Sequence, residues 1–439
     1  MAAAPNHIRI RALNTGFGEC LHLTFTYPTG RPRNVLIDFG STKASGFGPA
    51  GGMTEIAQKI RDECQPPNGN GKLDMLVATH RHADHISGFA GESGAIVRAL
   101  EPELVVQPWT EDPDLDPKAT APAGAGGGGN HSLRARAVVA QLSEMQALAQ
   151  AVLDEVPRLQ ATKTVPKTLV EQLSFLGDTN ISNREAVENL MTMGKQRIYA
   201  SFGKRLPIGR LLPGVKIDVI GPPTLVQSAA LANPADVDAD EFWHVAARRA
   251  GVAQAARGNA DRIFPTAPVT RSYPQEARWV IPQIDKMRAE EMLAIVRSLD
   301  DALNNTSLIL LLKIKDKVLV FPGDAQLENW RYALRESDRS DAIRADLARA
   351  SFYKVGHHGS LNATPKSLWN TFSHRNATAT PDRLATLVST LAGKHGSIAR
   401  KTEVPRRALI DELTRMSALS NTQTLRSRNQ FWVDVDIDL

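Results

Sequence analysis

Residues 78–89 read ATHRHADHISGF and continue the apolar run LDMLVAT that begins at residue 73. His80, His82, Asp84 and His85 fall within six residues of one another. Side chains alternate along an extended segment, so His80 and His82 face the same way and can grip one ion together. Asp84 and His85 come just after and can face a second. Imidazole and carboxylate are suitable ligands for zinc, manganese or iron. The bland alternative, a solvated polar turn, does not account for four such groups placed directly after a buried strand. The C-terminal end of a short apolar strand is where α/β folds usually put their chemistry.

The flanking sequence supports that reading. HIRIRAL alternates with period two, as a half-buried strand does, and CLHLTFTY and NVLIDFG read as strands joined by the turn PTGRPR. MTEIAQKIRDECQ (53–65) has helical spacing and stops before the breaker PPNGNG. GAIVRAL reads as a helix and ELVVQPW as another strand. The second half carries the strand candidates VKIDVIGPP (215–223), SLILLLKIKDKVLVFPGD (307–324), ASFYKVGHHGS (350–360), TLVST and FWVDVDIDL. The division expected is residues 1–110 for the first half of a core, 111–212 for a linker and helical insertion, 213–223 for a core strand, 224–300 for a second helical insertion and 301–439 for the rest of the core. Residues 111–130, rich in Pro, Gly and Ala, read as a mobile linker. No sequence repeat of fixed period is visible.

The chain has 439 residues, 42% of them hydrophobic and 23% charged, which is ordinary globular composition with ample material for a core. Its two cysteines, Cys20 and Cys64, form neither a disulfide framework nor a zinc-knuckle pattern and suit a reducing cytoplasm. The opening MAAAPNHIRIRAL lacks the apolar stretch of a signal peptide. The longest aliphatic run, LILLL at 308–312, is far too short for a membrane span, so no membrane association is expected. With 52 basic and 47 acidic residues the formal charge is +5, a mild lean towards polyanionic partners.

The order of motifs resembles the metallo-β-lactamase-fold hydrolases. Their HxHxDH signature reads His80-Arg81-His82-Ala83-Asp84-His85 here. VLIDFGS looks like the family's early aspartate motif, VFPGDAQ like its Gly-Asp motif, and YKVGHHGS like its terminal histidine motif. The HHGS form, the upstream NNTSLILLL and the opening LNTGFGECLHLTF are most similar to the hydrolase domain of ComEC-type DNA-uptake proteins. The resemblance covers roughly residues 7–110, 213–223 and 303–400, and leaves the insertions out. It implies an α/β fold, an αββα sandwich with helical insertions, and two divalent metal ions, zinc or manganese. The implied ligands are His80, His82, Asp84, His85, the bridging Asp324 and His358, with Asp38 bracing the ligand loops from behind. Asp84 and His357 are the implied catalytic residues, one aiming the water and the other facing the substrate, although HHGS alone leaves His357 and His358 interchangeable. Asn305 and His395 are candidate substrate contacts. His7, His22, His131, His244 and His374 fit no ligand pattern and are expected to be structural or exposed.

One departure stands out. Many family members supply a third histidine to the first metal shortly before the strand pair that leads to Gly-Asp, and here that stretch reads ALNNTSLIL. The first position is then expected to rest on His80, His82 and Asp324 plus water, and to be the weaker of the two.

The implied chemistry is hydrolysis by a hydroxide that two divalent ions activate at neutral pH. The subgroup resemblance and the basic balance point to a phosphodiesterase or nuclease, with nucleic acid as partner. The competing readings are a hydrolase of a small molecule (cyclic nucleotide, phosphoester, lactone or thioester) and a partner-controlled effector that keeps the ligands and meets a protein partner through its insertions.

Overall fold

The computed structural model describes residues 4–42, 52–65, 72–115, 119, 121–122, 154, 156–157, 159–161, 165–180, 184–228, 280–360, 362, 364–393, 396, 398, 403–425 and 430–439. The glycine run of the expected linker, His131, His244, His395 and most of the two insertions lie outside the described residues.

Two mixed sheets make up an α/β fold. The first contains β1 (His7–Leu13), β2 (Cys20–Thr26), β3 (Arg33–Phe39), β4 (Leu73–Val77), β5 (Leu104–Pro108), β6 (Gln196–Ala200) and β13 (Trp432–Asp438), in the order β13-β1-β2-β3-β4-β5-β6. The second contains β7 (Val215–Gly221), β8 (Ile309–Ile314), β9 (Lys317–Phe321), β10 (Ala350–Lys354), β11 (Ala385–Val388) and β12 (Ala418–Asn421), in the order β12-β11-β10-β9-β8-β7. β1, β2 and β3 are antiparallel, and β3 to β6 run parallel. β7, β8 and β9 are likewise antiparallel, and β9 to β12 run parallel. The second half thus repeats the topology of the first without a sequence repeat.

Alternation along the strands sorts the apolar side chains into layers. Ile8, Ile10, Leu23, Val35, Ile37, Met75, Val77 and Val106 of the first sheet share one cluster with Ile217, Val219, Leu310, Leu312, Leu319, Phe321 and Phe352 of the second. On its other face the first sheet turns Leu36, Leu76 and Val105 to helices Gly52–Cys64 and Gly91–Arg98, which contribute Ile56, Ile60 and Val97. The second sheet turns Leu311, Val320 and Tyr353 to Trp330, Ile343, Leu347 and Leu413 from its own helices. A satellite cluster joins helix Lys167–Asn180 to helix Val280–Asn304 through Val170, Leu173, Ala289, Leu293 and Val296. No helix among the described residues is long and apolar enough to cross a membrane.

The division expected from sequence needs correction at one place. β6 pairs in parallel with β5 and completes the first sheet, although residues 111–212 were expected to be linker and helical insertion. QRIYA is short, and four of its five side chains are half-buried or exposed, so it carries little of the apolar signal of a central strand. The polar ALSN of β12 was not foreseen for the same reason.

Candidate metal centre

Both sheets deliver their chemistry at the C-terminal ends of the parallel strands. β4 ends at Val77, and the chain stays extended through His82 before one turn of helix, Ala83–Ile86, begins. The extended part lays His80 and His82 side by side, with ring centroids 4.6 Å apart. Arg81 between them points the other way and pairs with Glu111. The helical turn, closed by His85 N–H donating to His82 O at 2.9 Å, brings Asp84 and His85 round to the same region. From the second sheet, Asp324 follows β9 and His358 follows β10.

Asp84, His85, Asp324 and His358 are all buried, and their ligand atoms lie within 4.8 Å of one another. His358 Nε2 is 3.0 Å from Asp84 Oδ2 and 4.0 Å from Asp324 Oδ2. His85 Nε2 is 3.0 Å from Asp324 Oδ2, but the two do not form a hydrogen bond. Asp84 Oδ1, His85 Nε2 and Asp324 Oδ2 are therefore buried without hydrogen-bond partners. Leaving a buried polar atom unmet costs about 1–3 kcal/mol, a cost that the ion pair of His85 with Asp324 reduces for those two groups.

The electrostatics point the same way. Burial opposes a charge on His85, yet Asp324, Asp38 and Asp84 outweigh it and raise its pKa well above the usual histidine value. His358 is raised too, against burial, by its bond to Asp84 and by Asp324. Burial raises the pKa values of Asp84 and Asp324, but His85 leads the groups that hold both below the usual carboxylate range. The cluster thus collects positive charge around two buried carboxylates. A divalent cation would meet that demand and fill the three orphaned positions, so the residues fit a zinc or manganese ion.

The imidazoles are held from behind. Asp38 Oδ1 accepts the Thr79 N–H at 2.7 Å, and its Oδ2 accepts from Thr79 Oγ1 at 2.7 Å and His85 Nδ1 at 2.8 Å. His358 Nδ1 donates to Ser389 O at 2.9 Å. In both rings the nitrogen turned to the cluster is then Nε2, which meets Asp324 Oδ2 from His85 and Asp84 Oδ2 from His358, each at 3.0 Å. Asp38 (φ 56), His357 (φ 42) and His358 (φ 52) all adopt left-handed backbone, an expensive conformation that concentrates at functional sites.

Of the residues singled out from sequence, Asp84, His85, Asp324 and His358 meet in one cluster, and Asp38 braces it. His80 and His82 lie beside it and face each other, His80 Nε2 to His82 Nδ1, at 3.0 Å. Burial, then His85 and His82, push His80 well below the usual histidine pKa. His357 sits outward, its Nε2 4.0 Å from Asp324 Oδ2 and its side chain 24% exposed. Asn305 turns away: its amide donates to Glu328 Oε2 at 3.3 Å. His22 is buried, with its pKa lowered by desolvation to about 4, and His374 Nδ1 bonds Ala350 O, so both are structural.

Sequence reasoning missed Thr79, Ser389 and the ion pair of Glu19 with Lys354, both buried. Glu19 N–H also donates to Asp84 O at 2.9 Å, and the Glu19 carbonyl accepts from Gly40 N at 2.9 Å. The visible signal was a lysine within the otherwise apolar SFYKV beside the histidine motif. Gly40 comes so close to the ligand loop that a Cβ there would lie 2.4 Å from Asp84 C and His85 N. Of the basic stretches, Arg184, Lys195 and Arg205 are engaged by Glu188, Glu103 and Asp218. No protein-family model and no curated protein matches the chain.

Proposed function

We propose that this chain is a metal-dependent hydrolase of the metallo-β-lactamase type that cleaves phosphodiesters, with nucleic acid as its substrate class. The observation that carries the reading is the buried cluster of Asp84, His85, Asp324 and His358, with three orphaned ligand atoms. The layering of helices, sheet, sheet and helices supports it, as do ligands drawn from both sheets. Two divalent ions, zinc or manganese, are the cofactors proposed, the second near His80 and His82. Cys20 and Cys64, free and buried, suit a cytoplasmic setting.

A divalent ion bound in such a site supplies Lewis acidity and lowers the pKa of water towards neutrality. The chain's own residues do the rest. Asp84, held as a carboxylate, can accept a hydrogen bond from the attacking water and so aim it. His357, partly exposed beside Asp324, is placed to donate to a phosphoryl oxygen or to the leaving group. The net charge of +5 assists the approach of a polyanion.

The test is turnover of linear DNA, linear RNA and a bis-aryl phosphodiester, with the metal-free protein reconstituted with zinc or manganese. Metal-dependent cleavage of the polymers, weakening with salt, is expected. Turnover confined to small esters would move the substrate class. Tight metal binding without turnover would favour an effector that acts through a protein partner.

A further inference from the structure

We infer that the buried ion pair of Glu19 with Lys354 is a positioning pair: it holds the Asp84–His85 loop of the first half in register with the His357–Gly359 turn of the second, so that ligands from both sheets meet at one ion. The inference rests on the metal-centre reading above.

Glu19 and Lys354 are each only 3% exposed, and their side chains form an ion pair. Taking two charges out of water is costly, and apolar residues of similar volume often serve stability as well or better. What an apolar pair lacks is direction. The main chain of Glu19 belongs to the first half: its N–H donates to Asp84 O and its carbonyl accepts from Gly40 N, both at 2.9 Å. Gly18 is pressed onto the same turn, where a Cβ would lie 2.2 Å from Gly40 O. The side chain of Glu19 crosses to the second half and meets Lys354, the last residue of β10, which leads directly to the histidine turn. Lys354 Nζ also donates to Val355 O at 3.0 Å, so the pair is tied to main chain on both sides.

The neighbours of Glu19 make the same crossing. Gly18 O accepts from Ser389 Oγ at 2.9 Å, and Ser389 O in turn accepts from His358 Nδ1 at 2.9 Å. The Phe17 ring lies 4.5 Å from the His358 ring, centroid to centroid, and Phe17 O accepts from Thr42 N at 3.0 Å. Residues 17–19 therefore touch the Asp84 loop on one side and the support of His358 on the other. The cluster that joins the two sheets is apolar, and such packing is non-directional. Metal ligands must stand within about 0.2 Å of their coordination distances. The ion pair supplies a directed link beside the point where His358 Nε2 and Asp84 Oδ2 lie 3.0 Å apart.

Removing one partner alone would leave a buried charge unpaired and would read chiefly as lost stability. The experiment therefore replaces both, in a Glu19→Met/Lys354→Met variant of the full chain, and titrates Mn2+ into the metal-free protein by calorimetry beside the wild type. Thermal unfolding of the metal-free proteins reports folding, and the visible spectrum of the Co2+-loaded proteins reports ligand geometry. The double variant should unfold at a temperature no lower than the wild type, bind Mn2+ about 10–100-fold more weakly and show a changed Co2+ spectrum. An affinity and a spectrum equal to those of the wild type would make the pair merely structural and overturn the inference, with the metal centre left standing. If the double variant is less stable or does not fold, Lys354→Arg is compared with Lys354→Met. The arginine, which keeps the ion pair, should then hold Mn2+ more tightly, and equal affinities would overturn the positioning role. A wild type that binds no Mn2+ would overturn the metal-centre reading itself, and the inference with it.

Discussion

Asp38 and Asp324 stand at corresponding places in the two halves of the molecule, each at the C-terminal end of the third strand, yet they are used differently. Asp38 has both oxygens occupied, by Thr79 N–H, Thr79 Oγ1–H and His85 Nδ1–H. Among the described residues, Asp324 accepts only the His357 N–H, at 3.1 Å on Oδ1, and its Oδ2 is left without a hydrogen bond among the imidazoles. A buried carboxylate that protein donors satisfy is a brace. One with an unsatisfied oxygen beside imidazole nitrogens has a lone pair left with which it could hold a cation. The connections differ as well: residues 14–19 link β1 to β2 directly, whereas β7 and β8 are separated by residues 222–308, which include helix Val280–Asn304.

The largest effect expected is on turnover. Asp84→Ala removes a ligand from the first half's loop and the group that aims the water, and should cut the rate by at least about 10³-fold, measured at saturating metal. Full activity in that variant would end the proposed mechanism. His357→Ala should lower kcat by about 10²-fold with the metal retained, whereas His358→Ala should lose metal. Metal analysis of the two variants with the reverse result would exchange their roles. Asp38→Asn should weaken metal binding by about 10–100-fold, far less than loss of a ligand, because it disturbs His85 and Thr79 without touching the ion. An effect as large as that of Asp324→Ala would erase the distinction between brace and ligand. The smallest effect is on stability. Gly40→Ala forces a methyl group against the Asp84–His85 backbone and should destabilise the chain by about 1–3 kcal/mol, read by chemical denaturation. A neutral outcome would mean that the loop yields freely.

Much of this was legible in the residues themselves. The HxHxDH run, the Gly-Asp and the HHGS each follow an apolar strand, so the short apolar runs located the strands and their polar ends together. What could not be read was pairing at long range. β13 closes the first sheet against β1 with Leu13 opposite Trp432, and no local signal announces that partner. β6 escaped because an edge strand of half-exposed residues lacks the apolar run of a central one. At the site, the stretch ALNNTSLIL, which contains Asn304, was read as lacking the histidine that many relatives of that fold supply. In the structure Asn304 donates to Asp300, an acidic residue on a helix that nothing in the linear sequence brings near His82.

The most direct test of the central claim, that the cluster is a metal centre, is elemental analysis joined to metal titration of the purified full chain beside Asp324→Ala and Asp38→Asn. The account predicts a divalent ion bound by the wild type, lost in Asp324→Ala and held more weakly in Asp38→Asn. A wild type that takes up no divalent ion, or an Asp324→Ala protein that binds as the wild type does, would contradict it.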